Sequence, residues 1–332
     1  MKITFFSTQP YDKIFFNKYN ADYGFELEFF ETHLGPHIVN AVDKADAVCV
    51  FVNDRVIPEV IKALAEKGVR IIALRCAGFN NVDLEVAKQY GLRVCRVPAY
   101  SPEAVAEHAL AMILTLNRKT HKAYNRVREQ NFSLNGLLGF NLHGKTVGVI
   151  GTGNIGKAFC NIMLGMGCKV LAFDIVQDEA LVNAGVTYLP LQEVLQQSDI
   201  ISLHCPLNDK TKHIINAASI NSMKKGVMII NTSRGKLINT EDAIDALKSR
   251  HIAYLGIDVY EQEEKLFFKD LSASIIEDDV IQRLMSFPNV LVTAHQAFFT
   301  EEALSQIAVK TLQNIKMLAA GTTTPDDPAI MI

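Results

Sequence analysis

TVGVIGTGNIGKAFCNIMLGMGCKVLAFD, residues 146–174, is the stretch on which the fold turns. An apolar, β-branched run leads into Gly151-Thr152-Gly153-Asn154-Ile155-Gly156. A helical pattern follows, and a second apolar run ends at Asp174. A G-x-G-x-x-G run alone is weak evidence. Here a strand precedes it, a helix follows it and an acid lies 18 residues past Gly156, the context of a phosphate-binding βαβ turn. Gly151 permits the tight turn, Gly153 lets a pyrophosphate approach the backbone, and Gly156 lets helix and strand pack closely. The helix N-terminus offers free N–H groups and a partial positive charge. Asp174 suits the adenosine ribose hydroxyls and would repel a 2′-phosphate, and Ile175-Val176-Gln177 brings no Lys or Arg to welcome one. The expected cofactor is NAD, not NADP.

Outward from this unit, similar runs recur. Toward the C-terminus come DIISLHC (199–205), VMIINT (227–232), YLGIDV (254–259) and NVLVTA (289–294). Toward the N-terminus lie ITFFS (3–7), LEFF (27–30), AVCVFV (47–52), RIIAL (70–74) and RVCRV (93–97), with helix-like stretches between them. The runs are nearly continuous in apolar residues, as in parallel strands covered by helices on both faces. Two βα series predict an α/β protein with two doubly wound parallel-sheet domains. A helix starting at Ser101-Pro102, with acids in its first turn, is expected to reach about Gln130, roughly 45 Å. A further helical pattern at 300–320 could return to the first domain. The domains expected are therefore 1–100 with 300–332, and an inserted 101–299. The tail GTTTPDDPAIMI reads as loose.

In open α/β sheets, ligands bind beyond the carboxyl ends of the strands. VMIINTS is followed by Arg234, YLGIDVY by an acidic cluster from Glu261 to Glu264, and NVLVTA by His295. An Arg fork matches a substrate carboxylate and polarises a nearby carbonyl. A His can protonate a carbonyl oxygen as hydride reaches the carbon, with a carboxylate behind it to fix the ring. Other readings stay open at this point. Arg234 could be a surface arginine, His204 competes with His295, and Glu261 or Glu264 could replace Glu263. The other seven histidines read as solvated.

Composition narrows the classes. The 332 residues are 49% hydrophobic and 21% charged, as in a soluble globular protein of two domains. The net charge of −3 leaves no basic excess for nucleic acid. The opening MKITFFSTQP does not read as a signal peptide, and ALAMILTL (109–116) is too short for a membrane span. Six cysteines, none in a C-x-x-C pair, read as buried reduced thiols of a cytoplasmic protein, with no metal site.

Nearly the whole chain resembles the D-isomer-specific 2-hydroxyacid dehydrogenase family. The resemblance is carried by RCAGFNNVD (75–83), VPAYSPEAVAEHALAMILTLNR (97–118), GVIGTGNIG (148–156), SLHCPL (202–207), NTSRG (231–235), GIDVYEQE (256–263) and TAHQAFFTEEAL (293–304). The longer LFFKDLSASIIEDDVIQRLMSFPNV (266–290) resembles the lactate-type branch. The resemblance implies a Rossmann NAD-binding domain inserted into a flavodoxin-like catalytic domain, and reduction of pyruvate to D-lactate. It implies that Arg234 binds and polarises the substrate, that His295 carries the proton and that Glu263 pairs with that His. Substrate contacts would come from Cys76 to Phe79, with N–H groups of Ala77, Gly78 or Phe79 on the carboxylate, and from Tyr100 and Phe298. Asn154 and Ile155 would sit over the pyrophosphate. Cys205, Pro206, Thr211, Thr232, Ser233 and Asp258 would line the rest of the cofactor path. Two departures stand out: Ala294 where many relatives have Pro, and Phe51 where some have Tyr.

Two rivals remain for the chemistry: a dehydrogenase for bulkier 2-keto acids, glyoxylate or hydroxypyruvate, and an NADH-sensing binding protein. Tyr100, Phe79 and Phe298 favour a small apolar pocket. Val105, Ala109, Met112, Ile113 and Leu116 spread over more than one helix face. Together with the resemblance they predict a homo-oligomer, dimer or tetramer, without nucleic-acid or membrane partners.

Overall fold

The computed structural model describes residues 1–324 and 327–332, and for Lys265 the backbone alone. The chain divides into two compact units, Met1–Ser101 with Phe299–Ile332, and Pro102–Phe298.

In the first unit the apolar runs become β1 (Lys2–Phe5), β2 (Glu26–Phe29), β3 (Ala47–Val50), β4 (Ile71–Leu74) and β5 (Arg93–Arg96). They form one parallel sheet in the order β2-β1-β3-β4-β5. Every residue of β3 and β4 is buried, which is why these runs are apolar throughout instead of alternating. Helices α1 (Pro10–Asn20), α2 (Pro58–Glu66) and α3 (Leu84–Gln89) connect the strands. Proline opens α1 and α2, where its missing N–H costs nothing.

The second unit starts with α4 (Pro102–Arg118) and α5 (Thr120–Arg128), so the single helix expected to Gln130 is two helices. The break is Lys119, held at φ 51 in the left-handed region. Two anchors hold the chain there. Asn117 exchanges hydrogen bonds with the Phe140 backbone (2.7 and 2.8 Å), and Lys119 Nζ donates to the Leu138 carbonyl (2.6 Å). The apolar positions of α4 also differ from expectation. Val105, Ala109, Met112, Ile113 and Leu116 are all at most 5% exposed within their own chain, so they leave no face for a second copy.

Then come β6 (Thr146–Ile150), α6 (Asn154–Gly165), β7 (Lys169–Phe173), α7 (Glu179–Asn183), β8 (Thr187–Tyr188), α8 (Leu191–Gln197), β9 (Ile200–Leu203), α9 (Ala217–Ser222), β10 (Val227–Asn231), α10 (Thr240–Lys248), β11 (Ile252–Ile257), α11 (Asp279–Met285) and β12 (Val290–Val292). Seven parallel strands follow the order β12-β11-β10-β9-β6-β7-β8. The order reverses between β6 and β9, so the crevice for a ligand lies beyond the carboxyl ends of these two strands. Only β8 has no counterpart in the sequence reading. It is two residues long and leaves no apolar run.

Helix α12 (Glu301–Ala320) rejoins the first unit. The Thr300 hydroxyl accepts from the Ala303 N–H, and Gly321 ends the helix at φ 67. Its apolar residues pack on α1, β4 and β5. Of the expected loose tail, 325 and 326 lie outside the described residues, but 329–332 are not loose. Met331 N–H donates to Val94 O (2.8 Å), and Arg96 and Val94 N–H groups donate to Ala329 O (2.8 Å) and Ile332 O (3.2 Å). Four apolar or small residues thereby cover the open edge of β5. Among the described residues no helix is long and apolar enough to cross a membrane. Among the described residues, likewise, no cluster of three or more His, Cys, Asp or Glu could hold a metal.

Candidate active site

Gly151 turns the chain out of β6 at φ 93, with the Cys205 backbone against it: a Cβ there would lie 2.5 Å from Cys205 N. At Gly156 a Cβ would lie 1.9 Å from Gly151 O. Neither position accepts a side chain. Gly153 is the opposite case, since a Cβ there would meet nothing within 4 Å. Open space stands over the N-terminus of α6, where no side chain among the described residues caps the first-turn N–H groups of Asn154, Ile155 and Gly156. A pyrophosphate fits there. Asp174 follows β7 and binds back to the glycine loop, accepting from Thr152 N (2.5 Å) and Thr152 Oγ1 (3.2 Å) through Oδ2. Among the described residues its Oδ1 accepts only from Val176 N (3.2 Å), leaving acceptor capacity for ribose hydroxyls.

Beyond β9 and β10 the side chains hold the groove in shape. His204 lies with its ring on Phe159 (centroids 4.9 Å) and Ser202 Oγ 2.8 Å from its Nε2. Burial holds its imidazole down at about 3, so it stays neutral, unlike a proton-transfer group. Cys205 is buried, and burial pushes its thiol up to about 11. Thr211 Oγ1 donates to Pro206 O (2.6 Å), so this hydroxyl closes its own turn. Ser233 Oγ donates to Cys205 O (2.8 Å). Thr232 differs: its Oγ1 is buried and has no protein partner among the described residues. A buried hydroxyl without a partner costs free energy, so it suits a wall that meets a polar ligand.

Arg234 leaves β10 through a turn built by Asn231, whose Nδ2 donates to Arg234 O (2.8 Å) and whose Oδ1 accepts from Ser233 N (3.1 Å). Gly235 must follow, because a Cβ there would lie 2.1 Å from the Tyr260 backbone. Arg234 Nη1 donates to Ser233 O (2.7 Å), and the guanidinium has no ion-pair partner among the described residues. Its fork is available to a carboxylate.

Two of the candidate acids, Glu263 and Glu261, separate by their partners. Glu263 Oε1 lies 2.9 Å from His295 Nδ1, and its Oε2 accepts from Tyr260 N (2.9 Å). Glu261 serves His213 (2.8 Å) and the start of α10 through Thr240. With Nδ1 engaged, Nε2 of His295 is the nitrogen left for a substrate. Phe268 (5.8 Å) and Phe298 (6.5 Å, edge-on) flank the ring.

His295 sits at φ 53, a strained conformation for a side chain of this size. Asp258 keeps it there. This fully buried carboxylate accepts from Thr293 Oγ1 (2.5 Å), Gln296 N (2.9 Å) and Ala297 N (2.9 Å), while its carbonyl accepts from His295 N (2.7 Å). His108 on α4 adds its Nε2 at 3.4 Å from Asp258 and 3.2 Å from Thr293 Oγ1. Burial would raise the Asp258 carboxyl. The hydrogen bonds from His108, Thr293 and Ala297 and the His108 charge outweigh it and hold the group below the usual carboxylate range. The structure thus gives Asp258 a loop-holding task beyond the cofactor lining implied by resemblance. It also corrects the solvated reading of His108 and His213. The signal for His108 was its spacing: Ala104, His108 and Met112 share one buried helix face.

In the first unit, the loop after β4 carries Cys76 to Phe79. Its four carbonyls all accept within the unit: Cys76 O from Val97 N, Ala77 O from Arg96 Nη1, Gly78 O from Cys76 Sγ and Phe79 O from Val82 N. The N–H groups of Ala77, Gly78 and Phe79 donate to no acceptor among the described residues. Successive free amides form an anion-binding concavity. The Arg75 guanidinium carbon lies over the Phe51 ring, 4.9 Å from the ring centroid. Tyr100 is half-buried.

A glycine loop at a sheet's switch point and a carboxylate-backed histidine on its carboxyl edge define a nicotinamide-dependent oxidoreductase. Residues 110–297 match the family description "D-isomer specific 2-hydroxyacid dehydrogenase, NAD binding domain". The chain is 52% identical over 327 residues to D-lactate dehydrogenase of Escherichia coli (strain K12), covering 98% of this chain and 99% of that one. The apo structure of D-lactate dehydrogenase from Escherichia coli superimposes with TM-score 0.92 at 49% identity, covering 100% of both chains. D-lactate dehydrogenase with NAD+ from Lactobacillus jensenii gives TM-score 0.82 at 34% identity over 98% of each. The chain belongs to the D-isomer-specific 2-hydroxyacid dehydrogenase family, and its cofactor is NAD.

Proposed function

We propose that the protein is an NAD-dependent D-lactate dehydrogenase that reduces pyruvate to D-lactate. The observation that carries this reading is the His295–Glu263 pair, 2.9 Å apart, at the carboxyl edge of the sheet that holds the glycine loop and Arg234. Pyruvate and the D hand are supported by the relatives, since one full-length match is to a D-lactate dehydrogenase.

When bound, NADH supplies the hydride for C2 of pyruvate. Gly151, Gly153 and the first turn of α6 hold the pyrophosphate, Asp174 the ribose, and Cys205, Pro206, Thr211, Thr232, Ser233 and Asp258 line the remaining path. Arg234 binds the carboxylate and polarises the keto group. His295, protonated and oriented by Glu263, gives a proton from Nε2 to the keto oxygen and takes it back in the reverse direction. Phe298 walls the site. Ala77, Gly78, Phe79 and Tyr100 contribute substrate contacts, with the free amides of 77–79 on the carboxylate. We name 1–100 with 300–332 the catalytic domain and 101–299 the NAD-binding domain.

A homo-oligomer, dimer or tetramer, is part of the proposal. Tyr124, Val127, Phe132, Leu134 and Leu138, between 50% and 88% exposed within one short stretch, supply apolar surface for it. A fermentative role in the cytoplasm suits six free, buried thiols. The test is NADH oxidation with pyruvate, oxaloacetate, hydroxypyruvate and branched 2-keto acids, with chiral analysis of the product. The highest kcat/KM is expected with pyruvate, giving D-lactate. A higher value with any other acid, or L-lactate, overturns the reading.

A further inference from the structure

We infer that Arg96, locked to the C-terminal segment, is a positioning residue that sets the substrate-binding form of the 76–79 loop. The inference rests on the reading of that loop as a substrate contact. Arg96 closes β5 and makes contacts on three sides. Its Nη1 donates to Ala77 O (2.8 Å), its Nε to Pro328 O (3.4 Å), and its guanidinium carbon lies 5.0 Å from the Phe79 ring centroid. Its backbone is fixed as well, since its N–H donates to Ala329 O (2.8 Å) and its carbonyl accepts from Asn314 Nδ2 (2.8 Å) on α12.

Peptide planarity turns these contacts into control of the loop. In a trans peptide the C=O of one residue and the N–H of the next point in opposite directions. Drawing Ala77 O toward Arg96 therefore turns Gly78 N–H the other way, to the side free of protein acceptors. The neighbouring peptides are set likewise, by Val97 N on Cys76 O and by Cys76 Sγ on Gly78 O. Of these anchors only Arg96 is a side chain from outside the loop. The same guanidinium stacks on Phe79, so one residue fixes both an amide of the concavity and the ring beside it. Arg96 has no carboxylate partner within ion-pair distance among the described residues; its acceptors are carbonyls. The C-terminal segment keeps the arginine in place by pairing with β5 and offering Pro328 O.

The test compares Arg96→Gln, Arg96→Lys and a chain ending at Thr324, which removes both Pro328 O and the pairing with β5, with wild type and with Phe79→Ala. A hydrogen bond from a charged group that orders a binding loop accounts for about a ten-fold change in KM for pyruvate. We expect that rise in Arg96→Gln, and a rise in the same direction in the shortened chain. The kcat and the NADH dissociation constant should stay within about two-fold. Arg96→Lys keeps the charge but cannot hold both carbonyls and the ring. Positioning predicts a raised KM in Arg96→Lys too, and this variant decides the matter if Arg96→Gln does not fold. A wild-type KM in Arg96→Lys means that charge alone attracts the substrate and overturns the inference. An unchanged KM in Arg96→Gln with a raised KM in Phe79→Ala overturns the role of Arg96 but leaves the loop as a substrate contact. If neither moves KM, the reading of the loop falls with it. A parallel loss of kcat and NADH affinity marks general damage and also overturns the inference.

Discussion

Replacing Glu263 by glutamine removes one acceptor from a place that uses two. Its carboxylate serves His295 Nδ1 (2.9 Å) and Tyr260 N (2.9 Å) at once. Glutamine has one oxygen, so an NH2 group must face either the imidazole or the Tyr260 amide, and Tyr260 is only 3% exposed. If the oxygen stays with Tyr260, the NH2 faces Nδ1. The imidazole then takes the neutral tautomer with Nδ1 as acceptor, the wrong state for giving a proton. A hydrogen bond to a charged group contributes about 1.5–3 kcal/mol, or roughly 10–100-fold in rate. Positioned acid catalysis as a whole contributes roughly 10²–10⁴-fold. Glu263→Gln should therefore fall between wild type and a variant without the histidine. The assay is steady-state NADH oxidation with pyruvate, beside NADH binding followed by fluorescence. We expect kcat/KM to drop by about 10–100-fold with NADH affinity unchanged. An unchanged kcat/KM refutes the orienting role of Glu263.

Three further outcomes follow from the same geometry. Asp258→Asn puts an NH2 against a buried N–H of the 293–297 loop and should cost about 1–3 kcal/mol of unfolding free energy, read by denaturant titration together with a loss of kcat. Full stability with full activity would remove the loop-holding role. His204 takes a proton at about 3 when folded, against an ordinary 6.5, so the unfolded chain binds that proton first and stability falls as pH drops from 6.5 toward 3. Between about pH 7 and about pH 5 this amounts to at most about 2 kcal/mol, and His204→Gln should shrink the fall in unfolding free energy; an equal fall in both proteins refutes it. The six cysteines are buried and free, with burial pushing Cys205 up to about 11 and Cys160 to about 12, so alkylation near neutral pH should need unfolding. Rapid labelling of the native protein would contradict this.

The strands were legible because two buried faces demand unbroken apolar runs. What escaped the sequence depended on contacts distant in the chain. The break at Lys119 is held by Phe140 and Leu138, about twenty residues on. The end of the chain is ordered by the edge of β5, which its polar Thr-Thr-Thr-Pro-Asp-Asp approach conceals. At the candidate site, position at strand ends brought Arg234 and His295 forward because the sheet fixes where those ends lie, but left His204, also near a strand end, in competition with His295. It could not separate Glu261 from Glu263. The two sit two residues apart in a short irregular segment, and their partners, His213 and His295, come from different loops. For His108 the spacing marked only a buried helix face and not a partner, because Asp258 is 150 residues away.

Whether His295 gives and takes the proton is read from kcat for pyruvate reduction by His295→Gln, with the fold checked by circular dichroism and NADH binding. A fall of roughly 10²–10⁴-fold is expected, with NADH still bound normally. A kcat equal to wild type would contradict it.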